Sequence, residues 1–149
     1  MKKIAFATLA LGMFVAAPAQ ALEHELVIET AAGTIAADYD GEYRIETKQI
    51  GTANLPGRRA TLRCSYSVSV VVERTASINS ELKASRSMIS DDVITGSVPG
   101  RCSLAQARID QTVENNRANL ESALMALVDQ DRDTLLAEVS TTASEARGG

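Results

Sequence analysis

One histidine and two cysteines are the residues of this chain best suited to metal binding or redox chemistry. The pattern Ala19-Gln20-Ala21 predicts cleavage of a leader after Ala21. The mature chain would then begin with Leu22, Glu23 and His24. Its free amine, two deprotonated backbone amides and the imidazole supply four nitrogens in one plane, an arrangement that suits Cu(II) or Ni(II).

These three residues resemble the amino-terminal copper- and nickel-binding motif of some secreted proteins. The resemblance implies a copper- or nickel-handling protein, which we keep as the alternative function. Cleavage after Ala19 would place His24 at position five and remove the chelate. The competing interpretation is that His24 is a single histidine on a flexible end or a first strand and binds no metal. We expect no cofactor other than Cu(II) or Ni(II).

The two cysteines, Cys64 and Cys102, are 38 residues apart. In an oxidising compartment, two thiols of one small domain usually pair. Redox and metal-binding pairs usually have close spacing such as Cys-x-x-Cys, which this chain lacks. We therefore predict one structural disulfide, worth roughly 3–4 kcal/mol in the chain-entropy model.

Residues 1–21 have the three-part pattern of a cleaved secretory signal peptide. Lys2 and Lys3 are positive, Ile4 to Val15 is apolar, and a small-x-small cleavage site follows. The apolar run is shorter than the roughly 20 residues of a spanning helix, and no later segment is apolar enough to cross a bilayer. The Met-Lys-Lys start is typical of bacteria, so we expect a periplasmic or secreted protein.

The mature chain, residues 22–149, has the size of a single domain. Loss of Lys2 and Lys3 lowers the Lys and Arg count from 15 to 13 against 19 Asp and Glu, a formal charge of −6. This charge repels nucleic acid and anionic lipid, so neither is an expected partner. The scarcity of aromatic residues argues against a deep small-molecule pocket.

The candidate calcium-binding and catalytic patterns are incomplete. Asp129, Asp131 and Asp133 are spaced like the first ligands of an EF-hand, but Thr134 and Ser140 replace its required Gly and Glu. Acidic residues at the start of a helix near Thr134 are the favoured explanation. The chain has no Gly-x-Ser-x-Gly motif and no glycine-rich phosphate loop after a strand, so we expect no enzymatic activity.

The first half of the mature chain is predicted to form the strands of one antiparallel meander. Asp-Gly is typical of a two-residue hairpin turn, and alternating apolar and charged residues are typical of a half-buried strand. The predicted strands and turns are His24–Thr30, Thr34–Tyr39, an Asp40-Gly41 hairpin turn, Glu42–Ile50 and a turn at Asn54–Gly57.

The longest predicted strand is Arg58–Arg74, whose even positions are mostly apolar and whose odd positions are mostly polar. The sheet therefore has one buried face, and Cys64 lies on it. The predicted outer face carries a basic stripe formed by Arg58, Arg59, Arg63 and Arg74. Arg59 and Arg63 are our candidate surface for an anionic partner, either an acidic protein or a surface glycan. Protection of the sheet against pairing with other sheets is the competing explanation.

Two interpretations are open for the segment Thr75–Gly100. Ile78, Leu82, Ser85 and Ile89 fall at helical spacing, which predicts a short helix near Ser80 to Ile89. Asp92–Ser97 has the composition of a short edge strand.

The remainder of the chain is predicted to be helical. Ser103 and Gln106 fit a capping box, and a second helical piece, Thr134–Glu145, either continues the first or breaks from it near Asp129–Asp133. Asn116 marks either a helix-pairing register or the edge of the apolar stripe, and a loose tail follows from Ser144. The stripe itself is Ile109, Val113, Leu120, Leu124 and Leu127.

These patterns together predict an α+β fold. An antiparallel meander of about four strands has one face covered by a C-terminal helix, and a single disulfide joins the helix start to the longest strand. The function we expect is a non-catalytic exported module for binding or protein interaction.

Overall fold

A computed structural model describes residues 22–53, 56–80 and 82–148, and the predicted signal peptide lies outside these ranges. Within these ranges, one four-stranded antiparallel sheet precedes two helices, and neighbouring strands follow chain order. The predicted α+β meander is therefore confirmed. The elements are β1 (Leu22–Thr30), β2 (Gly33–Ile50), β3 (Arg63–Ile78), β4 (Leu82–Pro99), α1 (Cys102–Asn115) and α2 (Arg117–Arg147).

A single core lies between the inner face of the sheet and the two helices. Both helices contact β2, β3 and β4, so they leave the outer face uncovered by the described residues. The predicted helical stripe is buried along its whole length. On β3 the buried side chains alternate as predicted except at Val71, which is also buried, and they include Cys64, Tyr66, Val68, Val70 and Val72.

The predicted hairpin turn at Asp40-Gly41 is wrong, because β2 runs through it without interruption. Gly41 pairs with Leu22 on one side and with Val72 on the other. A Cβ atom at Gly41 would lie 3.0 Å from the Leu22 carbonyl oxygen and 3.2 Å from Leu124 Cδ1. The glycine therefore allows close packing inside the sheet, and two neighbouring strands override the local turn preference.

The predicted helix from Ser80 to Ile89 is also wrong, because this segment belongs to strand β4. Asn79 and Ser80 have positive φ angles of 49° and 66° and form a tight turn that aligns β4 with β3. The apparent helical spacing arose because Ile78 and Leu82 are partners across this turn. The predicted edge strand Asp92–Ser97 lies within β4, which is an edge of the sheet.

The predicted capping box at Ser103 is wrong, because α1 begins at Cys102 and has no side-chain cap from its own N-cap residue. The Cys102 amide donates instead to Gln49 Oε1 at 2.9 Å. The helical run is interrupted at Asn116, and α2 continues through Asp129–Asp133 to Arg147. The helix therefore includes most of the segment predicted as a loose tail.

Candidate functional site

The predicted basic stripe is only partly on the outer face. Arg63 is the first residue of β3 and is exposed, whereas Arg58 and Arg59 lie in the exposed segment before that strand. Arg74 is 1 % exposed and belongs to the inner face, so its predicted position is wrong. The alternation of β3 could have shown this, because Arg74 occupies an even position like the buried Val72.

Five exposed Lys and Arg residues lie near the place where β2 ends and β3 begins. Gly100 N donates to the Leu62 carbonyl at 2.8 Å, which places Arg101 beside the start of β3. Lys48 pairs with Ser65 across the two strands. Among the described residues, none of these cations forms an ion pair with a carboxylate. We define the cationic end as Lys48, Arg58, Arg59, Arg63 and Arg101, all of which are exposed.

A covalent and a hydrogen-bonded clamp hold this end together. The predicted disulfide between Cys64 and Cys102 is confirmed, and the two Cα atoms are 4.8 Å apart. Gln49 Nε2 donates to the Arg63 carbonyl at 2.8 Å and to the Gly100 carbonyl at 3.1 Å. The disulfide therefore fixes the residue after Arg63 to the residue after Arg101. No local sequence pattern identifies Gln49, because its partners are distant in the chain.

The side chain of Arg63 is itself oriented. Its Nε and Nη2 atoms donate to Ser97 Oγ at 3.0 Å and 2.7 Å. Both bonds use one neutral acceptor, so they position the guanidinium without neutralising its charge. A guanidinium fixed in this way can still donate to carboxylate, sulfate or phosphate oxygens.

The other half of the outer face is acidic. Glu23, Asp40 and Glu73 are direct cross-strand neighbours on β1, β2 and β3, and Glu25 is opposite Asp38. Like charges that face each other across a sheet destabilise it. The outer face therefore carries a group of carboxylates that is separate from the cationic end.

A buried ionic network joins the sheet to α2. Arg74 Nη1 donates to Asp131 Oδ2 at 2.8 Å, and Tyr39 Oη donates to the same oxygen at 3.1 Å. Arg74 Nη2 donates to Glu138 Oε2 at 2.7 Å. Arg86 Nη1 lies 3.4 Å from Asp131 Oδ1, and its side chain is 42 % exposed. The two arginines and two carboxylates balance in charge, so the network binds α2 to β3.

The surroundings of this network perturb two ionisation equilibria. Burial, together with the nearby Asp131 carboxylate, raises the pKa of Tyr39 to about 12. Burial by itself would lower the pKa of Arg74, but hydrogen bonds to Asp131 and Glu138 outweigh it and raise that pKa. Arg74 therefore remains charged and Tyr39 remains a hydrogen-bond donor at neutral pH.

Tyr39 should ionise later than an ordinary tyrosine, with a midpoint at about pH 12. Because its folded-state pKa lies above its unfolded value of 10.0, the stability it contributes is complete below pH 10.0 and is lost as the pH rises through about 12. Ultraviolet titration of the wild type and of Tyr39→Phe tests this. The absorbance that the wild type gains and Tyr39→Phe does not is the signal of Tyr39. If this signal developed at pH 10.0, it would contradict the raised pKa.

The acidic triplet does not form a calcium loop or begin a helix. Asp129, Asp131 and Asp133 all lie inside α2, and Asp131 is 2 % exposed within the ionic network. Both the calcium interpretation and the helix-start interpretation are therefore wrong. The distant partner Arg74, rather than the local spacing, determines the role of Asp131.

The three residues of the predicted amino-terminal chelate belong to β1. Leu22 is 4 % exposed and pairs with Gly41, and Glu23 is exposed. His24 is half-buried, and its ring centroid lies 6.4 Å from that of Tyr39. Because the chelate requires the backbone nitrogens of Glu23 and His24, metal binding there requires these residues to leave the sheet.

The chelate remains a prediction with a direct test. We expect a mature chain that begins at Leu22 to bind Cu(II), and we expect His24→Ala to weaken binding by removing the imidazole nitrogen. Copper titration followed by visible absorption measures this. Faster exchange of the β2 amides that bond to β1 near Gly41 should accompany binding, because the strand pair must open. Equal affinity of the two proteins would contradict the chelate.

Comparisons with known proteins found no significant match to a family model, a curated protein or a solved structure. Within the described ranges, no helix is long and apolar enough to span a membrane. Over the same residues, no three His, Cys, Asp or Glu side chains are grouped to hold a metal ion. This last finding does not test the amino-terminal chelate, which uses backbone nitrogens.

Proposed function

We propose that this protein is an exported, non-catalytic binding or interaction module that acts in the periplasm or after secretion. Its cationic end binds an anionic partner, either an acidic protein or a surface glycan. The observation that carries the proposal is the grouping of five exposed cations, without carboxylate partners among the described residues, on a disulfide-clamped end.

The clamp supports this proposal energetically. A surface already held in its binding geometry avoids part of the ordering cost of association. The Gly100 bond to Leu62 and the disulfide at Cys64 fix the backbone on both sides of Arg63, and Ser97 orients its guanidinium. The remaining exposed cations can then adapt to the partner.

The charge distribution also supports the proposed binding of an anionic partner. The mature chain has a formal charge of −6, yet five of its 13 Lys and Arg residues form the cationic end. An anionic partner is therefore repelled by the acidic half and attracted to the cationic end. Such a gradient orients a partner during encounter and makes association sensitive to salt.

The double variant Arg59→Glu with Arg63→Glu tests the proposal. The probes are a sulfated heparin fragment and a poly-glutamate peptide, which represent the glycan and the acidic protein. We expect at least one probe to bind the wild type in low salt and to lose about tenfold or more in affinity with the variant. Isothermal titration at two salt concentrations measures this loss.

The matched control is Arg108→Glu with Arg132→Glu. These arginines are exposed on α1 and α2, and their replacement changes the net charge by the same amount. We expect the control to bind like the wild type. An equal loss in both double variants would indicate a net-charge effect, and no binding of either probe would also contradict the proposed surface.

A further inference from the structure

Strand β2 has a free edge that no other strand of the described chain covers. β1 begins at Leu22, opposite Gly41, whereas β2 continues to Ile50 with β3 on its other side. From Glu42 to Ile50, therefore, one edge of β2 has no strand partner among the described residues. We call this nine-residue edge the β2 notch, because β1 closes it at one end.

The inner-face side chains of β2 are less buried where β1 no longer lies beside them. On the inner face, Ile35, Ala37 and Tyr39 are 0–1 % exposed, and all three lie beside β1. Tyr43 and Ile45 continue the same face, but they are only partly buried. The notch thus leaves two core side chains partly open on the side where a further strand would lie.

The outward side chains of the notch carry alternating charges. They are Glu42, Arg44, Glu46 and Lys48, and all are exposed. Arg44 Nη2 forms an ion pair with Glu42 Oε1 at 2.8 Å. Charges on an edge can simply guard it against pairing. In this notch, however, they also specify the sign that each opposite residue of an added strand must have.

We infer that the β2 notch is a strand-addition site for an extended segment of a partner polypeptide. A free strand edge offers a row of amide and carbonyl groups that only another extended backbone matches. Tyr43 and Ile45 select apolar residues at alternate positions, and the charged residues select complementary charges between them. This site shares Lys48 with the cationic end but does not include Arg59 or Arg63, and it does not depend on the proposed function.

A second copy of the chain is a poorer occupant than a separate segment. If two notches paired antiparallel, the chain that follows Ile50 in one copy would meet the start of β1 in the other. β1 and β4 are the outer strands of the sheet, and β4 has an irregular register between Val68 and Val70 of its partner β3. Irregularities of this kind disrupt the ladder and discourage strand addition.

A designed peptide tests the inference. The probe is Thr-Thr-Glu-Val-Lys-Val-Glu-Val-Lys, which in antiparallel pairing places valine beside Thr47, Ile45 and Tyr43. Its charges oppose those of Lys48, Glu46, Arg44 and Glu42. The control peptide exchanges every Lys and Glu. We expect the mature protein to prefer the probe by about tenfold or more in fluorescence anisotropy.

A charge-exchange variant provides the matched comparison. In Arg44→Glu with Glu46→Arg, each peptide meets two like and two opposite charges, so the preference should vanish while net charge is unchanged. The control variant, Glu29→Lys with Lys83→Glu, exchanges one acidic and one basic residue on β1 and β4, outside the notch. It should keep the preference for the probe over the control peptide. Thermal melting of both variants confirms that these exposed substitutions leave the fold intact.

Hydrogen exchange locates the bound peptide. We expect the probe to protect alternate amides between Glu42 and Ile50, because alternate residues point their amides to opposite edges of a strand. Protection elsewhere, or a preference that survives the charge exchange, would overturn the inference. It would also be overturned if every notch amide were already protected without peptide, whether by the chain's own residues or by a dimer seen in sedimentation. Loss of anion binding in the Arg59 and Arg63 variant would leave this result unchanged.

Discussion

Replacement of Cys64 and Cys102 by alanine is expected to lower the free energy of unfolding by about 3–4 kcal/mol. The disulfide closes a loop with a sequence separation of 38 residues that contains most of β3 and all of β4. Without it, the unfolded chain gains conformational freedom. The start of α1 would then depend on the bond from the Cys102 position to Gln49, and the cationic end would loosen.

Urea denaturation of the oxidised wild type, the reduced wild type and the double alanine variant measures this effect. Alanine is preferred to serine because Cys64 is fully buried, and a hydroxyl there would add its own desolvation cost. We expect the reduced wild type and the variant to agree closely. A loss below about 1 kcal/mol would contradict the stabilising role that we assign to the bond.

Removal of the Asp131 carboxylate is expected to cost about 3–5 kcal/mol, because Arg74 would remain charged inside the core without its main partner. The Asp131→Asn variant keeps the shape of the side chain and removes its charge. Arg74 is 1 % exposed and cannot turn to water as Arg86 can. The remaining ion pair, with Glu138 at 2.7 Å, is only partly shielded from solvent.

An apolar double variant separates the effect of an unpaired charge from the effect of packing. Replacement of the pair by apolar residues, Arg74→Met with Asp131→Leu, should cost much less than Asp131→Asn alone. Chemical denaturation gives the free energies, and the Glu145→Gln variant near the end of α2 is an exposed control. Similar losses in Asp131→Asn and in the apolar double variant would contradict our explanation that the cost of Asp131→Asn comes from an unpaired Arg74 charge.

The parts of the fold that follow from local periodicity could be predicted from the sequence. Alternation along β3 correctly identified its buried face, and the stripe from Ile109 to Leu127 correctly identified the face of the helices. The disulfide followed from the number and spacing of the cysteines. These features depend on side-chain period or on chemistry that is visible within one segment.

The parts that depend on distant partners could not be predicted. Asp40-Gly41 remains extended because strands lie on both sides, and neither neighbour is visible locally. The partners Arg74 and Asp131 are 57 residues apart, and Gln49 and Cys102 are 53 apart. The β2 notch also requires the register, since it exists only because Leu22 pairs with Gly41 rather than with a later residue of β2.

The most direct test of the central claim is the intact mass of the exported protein, measured with and without reductant. We expect a chain that begins at Leu22 and gains the mass of two hydrogens on reduction, with a tryptic fragment that links Cys64 to Cys102. A full-length chain that keeps residues 1–21, stays inside the cell and has both thiols free would contradict both export and the disulfide.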